Sequence, residues 1–597
     1  MVFSWVYGMN DSLHQLNYDH TLVLLKNDQN LIPLKNLSNQ SIASIDFSNS
    51  HHSSFHHTCN KYTSVKHYSF NTFSSKRMIR AMSKEVKDYE VVILVADTLH
   101  EEMNGLFELL SEEKNIILSY LGDEKFDHFD VISQYFSAII YSPNKSSKEY
   151  DLTSQIIFGG YPAQNTLSKN LNDTLKKGFG LTTEKIRLSY GKPKDLDINE
   201  AKLLEIDSIV SHAINEKAMP GCQVLAAKDG HVFLHKSYGN HTYDSSAKRV
   251  VNNDIYDLAS ITKIASSALS LMQLESKGEF SVDSTLGYYL PEMLDSSTYK
   301  DLVIKDILTH QAGLASWIPF FLNTIVEGKP SYELYSKFPS SIHENRVAED
   351  LYVLSSYRDS IFQSILSSKL KKKKKYKYSD LGYYFLNEII SKITEENQNN
   401  YVEKIYKQLG LNNIGYNPRT KWDVTRIPPT ENDTLFRNQL VHGDVHDQGA
   451  ALLGGVGGHA GLFSNSNDLA VIMQLYLNKG IYGGDTLIEP AIIDKYTSAP
   501  YYESNDNRRG IAFDKPLRDG AGGPTCFECM SLSSFGHSGF TGNLTWADPE
   551  SGILYVFLSN RVYPDAENHK LISMNVRTEV MQVITDALDI KFPLPTQ

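Results

Sequence analysis

The chain of 597 residues is 41% hydrophobic and 21% charged, with a net charge of −12. That is the composition of a folded globular protein too long for one core, so two or three domains are expected. The acidic balance argues against a general nucleic-acid binder, and no apolar run reaches the ~18 residues of a membrane-spanning helix.

The opening Met1-Val-Phe-Ser-Trp-Val-Tyr-Gly8 lacks the basic region and long apolar stretch of an export signal. It predicts either a cytoplasmic location or a start that is not the natural beginning of the gene product. Residues 20 to 165 alternate strand-like and helix-like stretches. Val91–Val95, Asn115–Leu118 and Ser137–Tyr141 are short apolar runs of the kind that fill a buried parallel sheet, with amphipathic segments between them. This predicts an α/β domain. From 166 to 195 Gly178, Gly180, Gly191 and Pro193 punctuate a polar stretch that reads as a connection.

A helix is predicted from Asn199, with Leu203, Leu204, Ile206 and Ile209 on its apolar positions. Asp229-Gly230 separates two alternating runs, Cys222–Lys228 and His231–Lys236, and marks a hairpin because both residues tolerate positive φ. Near the other end, Leu544–Trp546 and Ile553–Phe557 read as strands, followed by a helix over 571–588. The second domain is therefore expected to have an antiparallel sheet closed by both of its ends, with a mostly helical middle. Cys526 and Cys529 form a CxxC with loop-like flanks and read as incidental loop cysteines.

The chemistry centres on Ser260-Ile-Thr-Lys263, at the start of a predicted helix that ends at Lys277-Gly278. Residues i and i+3 share a helix face, so Lys263 can reach Ser260. A serine hydroxyl needs a nearby base, and a buried lysine loses its proton more readily than a free one. At a helix start the Ser260 N–H also suits a developing oxyanion. Taken alone, the spacing is common by chance and most often marks a capping serine and a surface lysine. Tyr378-Ser-Asp380 precedes an apolar helical start; Tyr378 could serve as a base if Lys263 lowers its pKa, and otherwise the segment is a helix cap. Gly536-His-Ser-Gly-Phe-Thr-Gly542 leads into the strand at Asn543, where glycines suit close backbone approach.

In this order the three motifs resemble the SxxK, YxN and KTG elements of class C β-lactamases, D-Ala-D-Ala carboxypeptidases and related esterases. Asp306-Ile-Leu-Thr-His310-Gln-Ala-Gly313-Leu314 and Gly454–Ser464 look like further stretches of that family. The glycine stretch lacks the βαβ setting of a nucleotide loop. The resemblance implies an α+β domain with an antiparallel sheet and a helical subdomain, over 191–597. It implies that Ser260 is acylated, that Lys263 and Tyr378 share base work, and that the N–H groups of Ser260 and Phe540 form the oxyanion hole. Asp380, His537, Ser538, Gly539 and Phe540 would contact substrate. Asp380 stands in place of asparagine and His537 in place of lysine. An acid disfavours an anionic ligand and a histidine is only partly charged, which turns the expectation from an efficient β-lactamase towards a peptidase or esterase.

The run Lys371–Lys375 reads as a solvated loop rather than a steering patch. His442, His446 and Asp447 lack a further ligand at matching spacing, so no metal and no cofactor is expected. Thr21–Leu34 and Phe158-Gly-Gly-Tyr-Pro162 resemble the start and close of the carboxy-terminal α/β sandwich of family 3 glycoside hydrolases, which in some bacterial β-N-acetylglucosaminidases is fused to a β-lactamase-like domain. That places an α/β domain with its linker over 1–190. The (β/α)8 barrel with the glycosidase nucleophile is missing before it, and no paired carboxylates replace it, so no glycosidase activity is expected. The domain would have a docking or structural role, with a separate glycosidase barrel protein as its partner, while the hydrolase domain would take a small-molecule or peptidoglycan-derived substrate. The family suggests the periplasm. The alternatives are a non-catalytic binder of cell-wall fragments and a truncated remnant of the fusion.

Overall fold

The computed structural model describes residues 20–47, 52–69, 76–99, 103–122, 129–371, 375–517, 523–526 and 528–592. Met1–Gly8 and the centre of the lysine run lie outside them. The chain divides into two compact units, one running to Gly191 and including Tyr406–Asn412 and Tyr482–Asp485, the other formed by the rest from Lys192 onward.

The first unit is built on β1 (Val23–Asn27), β2 (Ile42–Asp46), β3 (Lys66–Ser69), β4 (Val91–Ala96), β5 (Asn115–Leu121) and β6 (Ala138–Ser142), in the order β1-β6-β5-β4-β2-β3. β1 runs antiparallel to β6, and the other pairs are parallel. Every residue of β4 is buried, as a central parallel strand with both faces covered requires. Helices α1 (His52–Cys59), α2 (Lys76–Glu85) and α3 (Asn104–Ser111) connect successive strands, and α4 (Ser147–Phe158) follows β6. Met82, Leu106, Phe107 and Leu110 of α2 and α3 share a core with Val92, Leu94, Ile116 and Leu118. The Ser146 side chain caps α4 and Gly159, at φ 73°, ends it.

In the second unit Asn199 caps α5 (Glu200–Asn215) by accepting from the Lys202 N–H. β7 (Gly221–Lys228) and β8 (His231–Gly239) form the expected hairpin, with Asp229 and Gly230 both at positive φ. Then come α6 (Leu269–Ser276), α7 (Leu381–Thr394) and α8 (Ser466–Leu477), and β9 (Phe535–Ser538), β10 (Leu544–Asp548), β11 (Ile553–Ser559) and α9 (Val576–Ala587). The sheet order β9-β10-β11-β7-β8 is antiparallel throughout, and the pairing of β11 with β7 closes it with both ends of the unit. α5 and α9 cover one face, burying Ile206, Val210, Val580 and Ile584 against Val224, Trp546, Tyr555 and Phe557. No helix among the described residues is long and apolar enough to cross a membrane.

The helices of the middle are accompanied by short strands that sequence pattern does not pick out: Tyr335–Ser336, Asn345–Ala348 and Leu351–Val353 make a small sheet, and Glu431–Asp433 pairs with Gln439–Val441. Strands this short carry too few residues to show a period of two. Cys526 and Cys529 are not free loop cysteines but a disulfide, their Cα atoms 5.6 Å apart, with Cys529 in the core under α9. The turn that brings them within bonding range is a backbone property no spacing rule reveals.

Candidate active site

Tyr256-Asp257 pairs with Phe463–Ser464 and delivers the chain to Ser260. The residue just before the serine, Ala259, has φ 46°, a left-handed conformation that costs energy for any residue with a Cβ. The Asp257 carboxylate accepts the Ala259 N–H at 2.8 Å and holds that turn. Beyond it the chain does not enter a regular α-helix at once: Ala259–Ile261 is a tight 3-10 turn, Lys263–Ala268 a wide π turn, and only then does α6 begin. Wide turns of this kind concentrate at functional sites. Lys263 is fully buried, and its Nζ donates to Ser260 Oγ at 2.9 Å and to the His459 carbonyl at 3.2 Å. Ser267 Oγ donates to the Gly458 carbonyl at 2.6 Å, and a Cβ on Gly458 would lie 2.3 Å from the Tyr383 carbonyl. The glycine stretch is therefore a packing surface for the serine–lysine segment.

Tyr378-Ser379-Asp380 lies beside residues 310–316. The Ser379 N–H donates to His310 Nδ1 at 3.2 Å, Ser379 Oγ to the Ala315 carbonyl at 2.6 Å, and the Asp380 N–H to the Ser316 carbonyl at 3.0 Å. The His310 ring packs 4.4 Å from the Tyr378 ring. Thus held, Tyr378 Oη is hydrogen-bonded to Ser260 Oγ at 3.0 Å, and Asp380 Oδ1 sits 2.6 Å from Lys263 Nζ.

These neighbours reverse two expectations. Desolvation alone would lower the Lys263 pKa, but Asp380, Tyr378 and Tyr383 together hold it above the ordinary lysine value. Its ammonium donates to Ser260 Oγ and the His459 carbonyl, and the Asp380 carboxylate pairs with it as the counter-charge. Lys263 is therefore a charged donor at rest and not the readily deprotonated base its burial alone implied. Tyr378 is raised as well, because desolvation of the phenolate outweighs the attraction of Lys263.

The third motif forms the edge strand β9 and the turn after it. His537 pairs with Thr545 across β9–β10, and the Gly539 N–H donates to the Asn543 carbonyl at 2.8 Å. A Cβ on Gly539 would meet the Leu258 carbonyl at 2.5 Å, so glycine lets the turn approach the nucleophile segment. Phe540 is half exposed, with its ring 5.6 Å from His446 and under the Arg561 guanidinium. His537 is not partly charged: desolvation, then Arg509 and Lys263, push its pKa down to about 3. Arg509 Nη2 lies 3.2 Å from His537 Nε2, and His537 Nδ1 lies 2.7 Å from the Ser538 carbonyl. An arginine only donates, so Nε2 accepts and Nδ1 carries the ring hydrogen to Ser538. Both ring nitrogens are thus engaged within the protein.

The His442–Asp447 segment is held by separate partners. His442 Nε2 bonds the Ile427 carbonyl, His446 Nε2 pairs with Glu431 at 2.7 Å, and Asp447 pairs with His459 at 2.8 Å.

Comparison with known proteins shows the family. The profile of the family described as Beta-lactamase matches residues 206–573. The chain belongs to the β-lactamase family. It is 31% identical over 408 residues to a protein named "Putative D-alanyl-D-alanine carboxypeptidase" from Salmonella gallinarum, covering 64% of this chain and 88% of that one. A protein of the same name from Salmonella enteritidis matches to the same extent. Among solved structures, EstCE1, described as a hydrolase with promiscuous acyltransferase activity, aligns at 17% identity with a TM-score of 0.48, over 65% of this chain and 99% of its own. A penicillin-binding protein homologue from Caulobacter crescentus aligns at 15% identity with a TM-score of 0.46, over 65% of this chain and 97% of its own.

As a β-lactamase-fold hydrolase, the chain carries site residues that sequence reasoning did not pick out. Arg509 is buried, pairs with Asp514 at 3.1 Å and lies 5.8 Å over the Tyr378 ring. It stands in a polar stretch, Asn505–Arg509, with no motif around it. Asp257 belongs to no motif either; its carboxylate role depends on the Ala259 turn, which no pattern announces.

Proposed function

We propose that this chain is an acyl-serine hydrolase in which Ser260 attacks a D-amino-acid peptide, ester or β-lactam in cell-wall metabolism. The observation that carries the reading is that Ser260 Oγ lies within hydrogen-bond reach of both Lys263 and Tyr378, the tyrosine from a motif 118 residues away. The Ser260 and Phe540 N–H groups would receive the oxyanion. Ser538, Gly539 and the half-exposed Phe540 would border the acyl chain, with His537 acting behind them through the Ser538 carbonyl.

The protonation pattern bears on mechanism. Lys263 and Tyr378 form one proton-sharing unit with a charged lysine and a neutral phenol at rest. The unit must lose a proton before it can take the one from Ser260, so activity rises towards alkaline pH. Acylation by a fluorescent penicillin or a chromogenic ester, followed by mass spectrometry of the Ser260 peptide, tests the reading. Label on Ser260 that is lost in Ser260→Ala supports it; turnover unchanged in Ser260→Ala overturns it.

The Lys263–Asp380 pair favours a second reading, a binding protein for cell-wall fragments that uses the same cleft without turnover. Hydrolysis of any acyl substrate that depends on Lys263 rules it out. For the first domain, over 1–190, we propose a relationship to the carboxy-terminal domain of family 3 glycosidases. Its mainly parallel sheet with an antiparallel edge strand is compatible with that. The proposed role is docking, with a separate barrel protein as the candidate partner; co-purification from the native host tests it.

A further inference from the structure

We infer that Asp257 is a positioning residue that sets the separation of the two oxyanion donors, the N–H groups of Ser260 and Phe540; this rests on the acyl-serine reading above. Asp257 is buried, and four hydrogen bonds converge on it from three parts of the site. Oδ1 accepts from the Ala259 N–H at 2.8 Å and so holds the left-handed turn that presents Ser260. Oδ2 accepts from the His446 N–H at 2.7 Å, and the His446 ring stacks on Phe540. The Asp257 carbonyl accepts from Thr541 Oγ1 at 2.7 Å and from Asn543 Nδ2 at 2.6 Å, the residues that shape the turn after Phe540. Asn543 is fixed in turn by the Ser559 N–H of β11.

One residue thus ties the nucleophile turn, the surface behind the Phe540 ring and the Phe540 turn itself. None of these bonds involves a reacting atom. Asp257 therefore acts on where the two amides point, and catalysis is sensitive to such placement: roughly an ångström of misplacement costs about 100-fold in rate. The strain at Ala259 has a matching explanation. A non-glycine residue stays at φ 46° because the Asp257 carboxylate over-determines that turn.

The test uses the full chain and counts active sites with a fluorophosphonate that labels Ser260. Failure of the wild type to label at Ser260 would overturn the acyl-serine reading, and the inference with it. Given labelling, Asp257→Asn puts an amide N–H against a backbone N–H. It is expected to lower kcat per labelled site roughly 10–100-fold with KM within about 3-fold, and to weaken inhibition by phenylboronic acid by the same factor as kcat/KM falls. Adding Ala259→Gly to Asp257→Asn should recover several-fold of the loss, since glycine adopts the turn unaided. Thr541→Val removes one tie without touching the carboxylate, and should move kcat and boronate affinity in the same direction by less. Wild-type kcat per labelled site in Asp257→Asn overturns the inference while leaving the acyl-serine reading intact. So does a fall in kcat with unchanged boronate affinity. If Asp257→Asn does not fold, wild-type values for Thr541→Val overturn it.

Discussion

Replacing Asp380 by asparagine keeps the shape of the side chain and removes the charge that sits 2.6 Å from Lys263 Nζ. At that distance and an effective dielectric of ~20 the Coulomb attraction is about 6 kcal/mol. Asp380 is partly exposed, so solvent screening reduces this by roughly half, to about 3 kcal/mol or ~2 pH units. Both Lys263 and Tyr378 are held above their ordinary values, and Asp380 contributes in that direction to each. Losing it lowers both, so the rising alkaline limb of the activity profile should move about 2 pH units towards neutrality in Asp380→Asn. The same change bears on stability. A lysine whose folded pKa is raised contributes stability that is full below its unfolded value of ~10.5 and disappears as pH rises through the folded value. Asp380→Asn should therefore be less stable than wild type at neutral pH, with the gap closing in strong alkali. Single-turnover acylation of Ser260 by a fluorescent probe, followed across the pH range, measures the limb directly. A limb that coincides with that of the wild type would refute the assigned coupling of Asp380 to the base.

Other consequences follow from the same neighbourhood. His537 is buried neutral with a pKa near 3, so its contribution is full above the unfolded value of ~6.5 and is lost as pH falls towards 3, by up to about 1.4 kcal/mol per pH unit. Urea midpoints at pH 7, 5.5 and 4.5 should fall less steeply in His537→Gln; parallel slopes would contradict this. Gly539→Ala forces the turn away from the Leu258 carbonyl, which should cost about 1–3 kcal/mol in urea unfolding and at least tenfold in kcat/KM. Arg509→Gln removes one of the two guanidinium groups on Asp514, Arg508 remaining, and should cost roughly 1–3 kcal/mol; a stability within error of wild type would show that the pair matters little.

Local rules made much of the scaffold legible. The Asp229-Gly230 hairpin, the helix starting near Asn199 and the apolar run at Val91–Val95 each follow from a few adjacent residues, because turn conformation, helical period and strand burial are short-range properties. The serine–lysine pairing was legible for the same reason, since three residues along a helical segment is a fixed distance. The short strands between Tyr335 and Val353, the π turn after Lys263 and the Cys526–Cys529 bond were not, because each depends on backbone detail finer than hydrophobic period.

The amino-acid sequence by itself determined which reactive groups exist, their order along the chain and hence the family to which Ser260 belongs. Only the tertiary structure decided their charge states. Burial alone would make Lys263 a ready base, and the ordinary value of an imidazole would leave His537 a partial cation. The states in the folded chain depend on groups distant in sequence: Asp380 favours the charged form of Lys263, and Arg509 helps keep His537 neutral. A pKa is a balance of desolvation against through-space charge, and both terms are set by distances that exist only once the chain has folded.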